Sequence, residues 1–195
     1  PKHFASIPIS ELSVFLTKMV ESTGANQVTK LAMLFMIHVF VRTASLRHAM
    51  WKDFDLECDE PLWIVPDYDM KNKIEFHVPL SPQVVIILEN MKQFSGPDGY
   101  VFTQKINPHK PISENALLYF SNRLGYAKRH TIHGFRTVAS SYLHESMLWK
   151  YEVVEKQMSH LVGNEVSRIY NTAEYLKERR KMLEWWSNYI DSLTV

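Results

Sequence analysis

The stretch LAMLFMIHVFV, residues 31 to 41, limits the possible folds more than any other part of the chain. Wound into a helix it leaves no polar face, so it has to be covered on all sides. It is far shorter than the roughly 20 apolar residues that a bilayer core demands, and His38 interrupts it. The rest of the chain must therefore supply the cover. A length of 195 residues suffices for that within one domain.

The cover can be read on either side. Leu12, Phe15, Leu16 and Met19 form an apolar stripe at helical spacing, with Ser10 as the expected N-cap. Between residues 53 and 80 the period shortens: LWIV and IEFHVPL are strand-like runs joined by PDYDMKNK, which predicts a small antiparallel sheet. Pro82 opens a helix that reaches Met91, SGPDG (95–99) is a turn, YVF a short strand, and NPHKPIS (107–113) an exposed loop. Ser113 is expected to cap a helix over 114–124 that Gly125 ends, and further helices are expected near 134–147, 151–159 and 174–190. The fold class is mainly α with a small antiparallel β-sheet insertion.

A hydrophobic share of 46% with 22% charged residues excludes a disordered chain. The single cysteine, Cys58, excludes an internal disulfide and fits a reducing, cytoplasmic setting. Neither a signal peptide nor a repeat is visible. A start at Pro1 rather than at methionine leads to the expectation of a fragment of something longer.

The net charge of +1 says nothing for nucleic acid, but its distribution does. Between Lys105 and Arg136 stand Lys105, Lys110, Arg123, Lys128, Arg129 and Arg136 against one acid, Glu114. Such a concentration is an anion-binding footprint, or else a solvated basic loop. HTIHGFRTVASSYLHES (130–146) sharpens the choice. Ala139, Tyr142 and Leu143 can sit on a core, yet His130, His133 and Arg136 crowd the N-terminal end. Positive charge there opposes the helix dipole unless an anion is bound.

The other unusual polar residues are Arg42 beside the apolar helix, Lys71 and Lys73 in the hairpin, and His160 and Tyr170 in QMSHLVGNEVSRIYNTAEY. Each has an ordinary alternative: a core arginine paired with a carboxylate, hairpin surface, a satisfied histidine, one tyrosine of nine. No Gly-rich phosphate loop and no acidic cluster suited to Mg²⁺ occurs. A metal held by His130, His133 and His160 is conceivable, though neither a thiolate cluster nor HExxH accompanies it. Taken together, two arginines, a lysine and two histidines make a metal-free cradle for a phosphodiester, and a tyrosine adds a nucleophile. A phenol with a pKa near 10 is ionised to roughly one part in a thousand at neutral pH, a deficit of about 4 kcal/mol, so it needs a base or a positive field.

These residues resemble the catalytic domain of tyrosine recombinases, the phage-type integrases, and most closely those of prophages and genomic islands. FVRTASLRHAMWKDFDLE is similar to the first arginine motif, MKNKIEFHVPLS to the lysine hairpin, and NALLYFSNRLGY with TIHGFRTVASSYL to the His-x-x-Arg box. EKQMSHLVGNEVSRIYNTAEYLKERRKMLEWWSNYI is similar to the second histidine, the tyrosine and the closing helix. Four motifs in order cover nearly the whole chain.

The resemblance implies a tyrosine recombinase catalytic-domain fold over 1–195, the C-terminal part of an integrase whose N-terminal DNA-binding domains are absent. It implies strand cleavage and rejoining through a 3′-phosphotyrosyl intermediate, with no cofactor and no metal. Arg42 and Arg136 would hold the scissile phosphate, with His160, Lys128 and Arg129 as further phosphate contacts. Lys71, preferred to Lys73, would protonate the 5′-oxygen; His133 would assist proton removal; Tyr170, rather than Tyr175, would attack. The implied partner is double-stranded attachment-site DNA, bound by a homotetramer that is a monomer or weak oligomer alone, with no membrane. The implied location is the bacterial cytoplasm, on the nucleoid. One position departs from the pattern: three residues after the first arginine, where an acid is usual, stands Ser45. A catalytically impaired DNA-binding module of the same fold, a relaxing topoisomerase and a His-metal hydrolase are the competing expectations.

Overall fold

The computed structural model describes residues 5–69, 74–160 and 175–194. The lysine hairpin tip with Lys71 and Lys73, and the segment that carries Tyr170, lie outside them. In chain order the helices are α1 (Leu12–Glu21), α2 (Gln27–Val39), α3 (Thr43–His48), α4 (Pro82–Ser95), α5 (Ala116–Ser121), α6 (Gly134–Glu145), α7 (Tyr151–Gln157) and α8 (Leu176–Ser192). The strands are β1 (Phe54–Asp55), β2 (Leu62–Val65) and β3 (Phe76–Pro79).

Helix α2 is central, as its all-round apolarity demands: α3, α4, α5, α6 and α8 all pack on it. Asn26 caps its start by accepting the Val28 N–H at 2.9 Å. The helix ends before Arg42 rather than running into it. Phe40 turns into the left-handed region (φ 39°) with its N–H on Met36 O, and the chain leaves the helix there. Arg42 becomes the residue before the short α3. A bulky side chain in that conformation is strained, and full burial of the Phe40 ring holds it.

The three strands form an antiparallel sheet in the order β1-β2-β3, with Trp63 opposite Val78 and Val65 opposite Phe76. Trp63 is fully buried, stacks on Phe54 at 5.2 Å and meets Phe35 of α2 edge-on at 5.6 Å, which docks the sheet on the central helix. Helix α8 closes the far side. Met182, Leu183, Trp186 and Ile190 are buried, and Trp186 Nε1 donates to Ile37 O at 2.9 Å. The polar break in the apolar run is also used here: His38 Nδ1 lies 2.9 Å from Ser187 Oγ, which lies 2.8 Å from Ser81 Oγ, the cap of α4.

Three local expectations need correction. Ser10 lies inside a tight turn, Ile9–Glu11, and α1 begins at Leu12 without a side-chain cap. Ser113 does not cap α5; its carbonyl takes the Ala116 N–H at 3.1 Å, and the helix begins at Ala116. Residues 100–102 form no strand among the described residues, only isolated bridges flanking them, Met50 to Tyr100 and Thr103 to Pro111. Short runs anchored by one or two backbone bonds satisfy their polar groups without a ladder.

Candidate active site

Helix α6 delivers Arg136 from its first turn into the interior, where 2% of the residue is exposed. Nη1 donates to Phe40 O at 2.7 Å and Nη2 to Met158 O at 2.8 Å. The guanidinium thus ties the end of α2 to the end of α7. Nε, also buried, has no hydrogen-bond partner among the described residues. Burial, with the charge of Arg42 added to it, pushes the Arg136 pKa down to about 10 against a smaller opposing effect of Glu155, so the group stays charged at neutral pH.

Arg42 reaches the same place from the junction of α2 and α3 and is half-buried. Its Nη1 bonds Ser159 Oγ and its Nη2 approaches Ser159 O at 3.4 Å. Burial lowers its pKa. Neither arginine makes an ion pair among the described residues. Two guanidiniums held by neutral oxygens, in ion pair with no carboxylate among the described residues, form an anion site.

His133 immediately precedes α6 and is half-buried. Its pKa is lowered, first by burial and then by the charges of Arg136, Arg42 and His160. A neutral imidazole beside two arginines can accept a proton. His160 is exposed, with Nδ1 2.9 Å from Glu155 Oε2. The other oxygen of Glu155 lies 3.2 Å from His144 Nε2. Arg42, His133, Arg136 and His160 are therefore brought together, while Lys71 and Tyr170 lie outside the described residues.

The two other expected phosphate contacts are exposed side chains. Arg129 is committed to Glu11, with Nη2 2.7 and 3.0 Å from its two carboxylate oxygens. Lys128 is exposed, in the left-handed region at φ 61°. His130 does not belong to a cationic helix entrance at all. It is buried, Nδ1 accepts the Ile7 N–H at 3.1 Å, and burial drops its pKa to about 4. A neutral His130 and a depressed His133 leave Arg136 as the charge that the α6 N-terminus must tolerate. Among the described residues no three of His, Cys, Asp and Glu gather as a metal ion requires.

Ser159, Glu155, Gln157 and Arg179 are neighbours of the site that residue patterns do not single out. Ser159 was adjacent to a candidate histidine, which was the one available signal. Tyr175 precedes α8 at φ 51°, gives its carbonyl to Arg179 N at 2.8 Å and packs half-buried on the core. It has an evident structural role.

Solved structures share this architecture. The integrase from mycobacterium phage Brujita superposes with a TM-score of 0.66 at 18% identity, over 94% of this chain and 60% of that one. The XerH site-specific recombinase bound to difH substrate in a pre-cleavage complex gives 0.63 at 17%, over 91% and 54%. At such identities the likeness concerns the fold. Sequence relatives are nearer. The integrase of Enterobacteria phage P4 is 36% identical over 97% of this chain and 46% of its own length, and the putative protein IntB of Escherichia coli K12 is 35% identical over 97% and 51%. Prophage integrase IntS of the same organism is 31% identical over 97% and 49%. The chain spans about half the length of these curated relatives. Residues 11–177 match the model of the phage integrase family, and with those relatives this establishes that the chain belongs to the phage integrase family, among the tyrosine recombinases of prophages.

Proposed function

We propose that this chain is the catalytic part of a site-specific DNA recombinase that cuts and rejoins strands through a 3′-phosphotyrosyl intermediate. The observation that carries the reading is the pair Arg42 and Arg136. Both are charged, both are held by neutral oxygens, and Arg136 Nε is buried without a hydrogen-bond partner among the described residues. A phosphodiester oxygen is the group such a pair lacks.

In this reading the Tyr170 phenol oxygen attacks the phosphorus and its proton passes to His133. A P–O bond to tyrosine forms as the bond to the 5′-oxygen breaks, and Lys71 supplies the proton that oxygen takes up. Arg42 and Arg136 stabilise the charge on the non-bridging oxygens, and His160, oriented by Glu155, donates to one of them. Rejoining is the reverse step with the 5′-hydroxyl of a second strand, so the bond energy is retained in the phosphotyrosine and no cofactor is required. The partners are double-stranded attachment sites in the bacterial cytoplasm, engaged as a homotetramer. The remaining half of the protein supplies the further DNA contacts, and Lys128 supplies a phosphate contact here.

The test is a nicked suicide DNA substrate in EDTA, with the chain alone and within its full-length protein, followed by a denaturing gel and peptide mapping. An adduct on Tyr170 that vanishes in Tyr170→Phe is expected. An adduct on Tyr175 would overturn the nucleophile but not the chemistry. DNA binding without any adduct, from full-length protein on its own attachment site, would overturn the enzyme reading in favour of an impaired DNA-binding module.

A further inference from the structure

Behind the arginines lie two more polar side chains, Gln157 and Arg179, each with no exposed surface. Arg179 donates to Gln157 Oε1 from Nε at 3.1 Å and from Nη2 at 2.7 Å. Nη2 also reaches His77 O on β3 at 2.6 Å, and the guanidinium sits 4.7 Å over the Phe76 ring. Gln157 in turn donates from Nε2 to Val39 O at 3.0 Å.

The register of these bonds is informative. Val39 and Phe40 are consecutive, and so are Gln157 and Met158. Gln157 spans the gap between the ends of α2 and α7 by reaching Val39 O. One residue along on each side, the guanidinium of Arg136 spans the same gap between Phe40 O and Met158 O. The two bridges are parallel rungs. If the gap widens, Arg136 loses one of its carbonyls, and Arg42 and Ser159, which leave the same two chain ends, separate with it.

We propose that Gln157 and Arg179 are positioning residues for the reaction. Gln157 fixes the spacing at which Arg136 and Arg42 meet a phosphate, and Arg179 fixes the orientation of Gln157. Arg179 does so by holding the Gln157 amide oxygen with two donors, which directs the amide nitrogen at Val39 O. Its bond to His77 O extends the same frame to the strand that leaves the lysine hairpin, and its own helix follows the tyrosine segment. The frame therefore joins the ends of α2 and α7 to β3 and α8, and the inference rests on the proposed chemistry. Displacements near 1 Å at a reacting centre cost on the order of 100-fold in rate, so a spacing device of this kind acts on the rate constant.

The experiment is single-turnover adduct formation on nicked DNA at saturating protein, in the full-length protein, for Gln157→Met, Gln157→Glu and Arg179→Lys beside the parent. DNA affinity and thermal melting are measured on the same samples. Gln157→Met, which keeps the volume and removes all three bonds, is expected to lower the rate constant about 10-fold or more with DNA affinity within about twofold of the parent. Gln157→Glu keeps an acceptor for Arg179 and loses the donor to Val39 O, so it is expected to be as slow as Gln157→Met. Arg179→Lys, with fewer donors, is expected to fall between them and the parent. A role in folding alone would reduce the amplitude and the melting temperature and leave the rate constant of the folded fraction unchanged; that result in Gln157→Glu or Gln157→Met would overturn the proposal. A parent that forms no adduct would instead remove the recombinase reading itself.

Discussion

Arg136 donates to the carbonyl of Phe40 at 2.7 Å, and Phe40 is the residue whose left-handed backbone ends the central helix. The strained turn and the buried guanidinium need each other. The turn exposes a carbonyl that the helix would otherwise have used, and the guanidinium satisfies it. Arg136→Lys offers one ammonium in place of a planar fork and cannot serve Phe40 O, Met158 O and a phosphate together. Loss of about 1–3 kcal/mol of stability is expected, read by denaturant unfolding, together with a drop of about 100- to 1,000-fold in the rate of adduct formation.

The pH dependence of stability follows from two histidines far from each other. Burial lowers His38 and His130 from the ordinary 6.5 to about 4, the former despite an opposing pull from Asp191. Between those values the unfolded chain binds protons that the folded chain does not, so stability is full above about pH 6.5 and falls as pH drops towards 4. The displacement corresponds to at most ~3 kcal/mol per histidine. Melting curves across that window should show the decline, and His38→Asn or His130→Asn should each flatten it. An unchanged slope in both variants would count against neutral burial.

Gly134 begins α6 where the N-terminal segment crosses it. A Cβ there would stand 2.6 Å from Ala5 O and 2.8 Å from the His130 ring. Backbone on one side and a ring pinned by Ile7 on the other leave little room to yield. Gly134→Ala is expected to destabilise by about 1–3 kcal/mol, and amide exchange should rise first at Thr131 and Ile7, whose N–H groups donate to Ala5 O and to the His130 ring.

The central helix was legible because its apolarity is a property of one segment, and any fold must bury it. The helix expected near 174–190 and the strand-like run LWIV were legible in the same way. The end of α2 was not legible. A left-handed Phe40 is held by the burial of its ring and by Arg136, ninety-six residues later, which donates to its carbonyl, and no local pattern encodes that. The role of His130 was hidden for the same reason: a histidine three residues before another reads as part of a charged site until Ile7 N–H is found on its ring. Arg42, His133, Arg136 and His160 were recognisable as a set because their chemistry is unusual for positions so close to apolar helices. Their supports, Gln157, Ser159 and Glu155, are common residue types whose importance lies only in whom they touch.

Ser159 bonds the Arg42 guanidinium, and Ser45 follows Arg42 by three residues. An acid three residues after Arg42 would orient it by a charged hydrogen bond, and Ser45, buried with 3% exposed, supplies none. The orientation instead comes from across the site, where Ser159 meets Nη1 with its hydroxyl and Nη2 with its carbonyl. Ser159→Ala removes the hydroxyl and leaves the carbonyl contact alone. The rate of adduct formation is expected to fall about 10-fold, the worth of one neutral hydrogen bond of roughly 1–1.5 kcal/mol. Ser45→Glu places a carboxylate within the first turn of α3, three residues after Arg42, where the positive end of the helix also favours it. In the Ser159→Ala background this second change should restore the rate, whereas on its own it should change the parent little, because Arg42 is already held. A double-mutant cycle on single-turnover rates measures that difference directly. Equal effects of Ser45→Glu in both backgrounds would mean that the two serines act independently and that Ser159 does not orient Arg42.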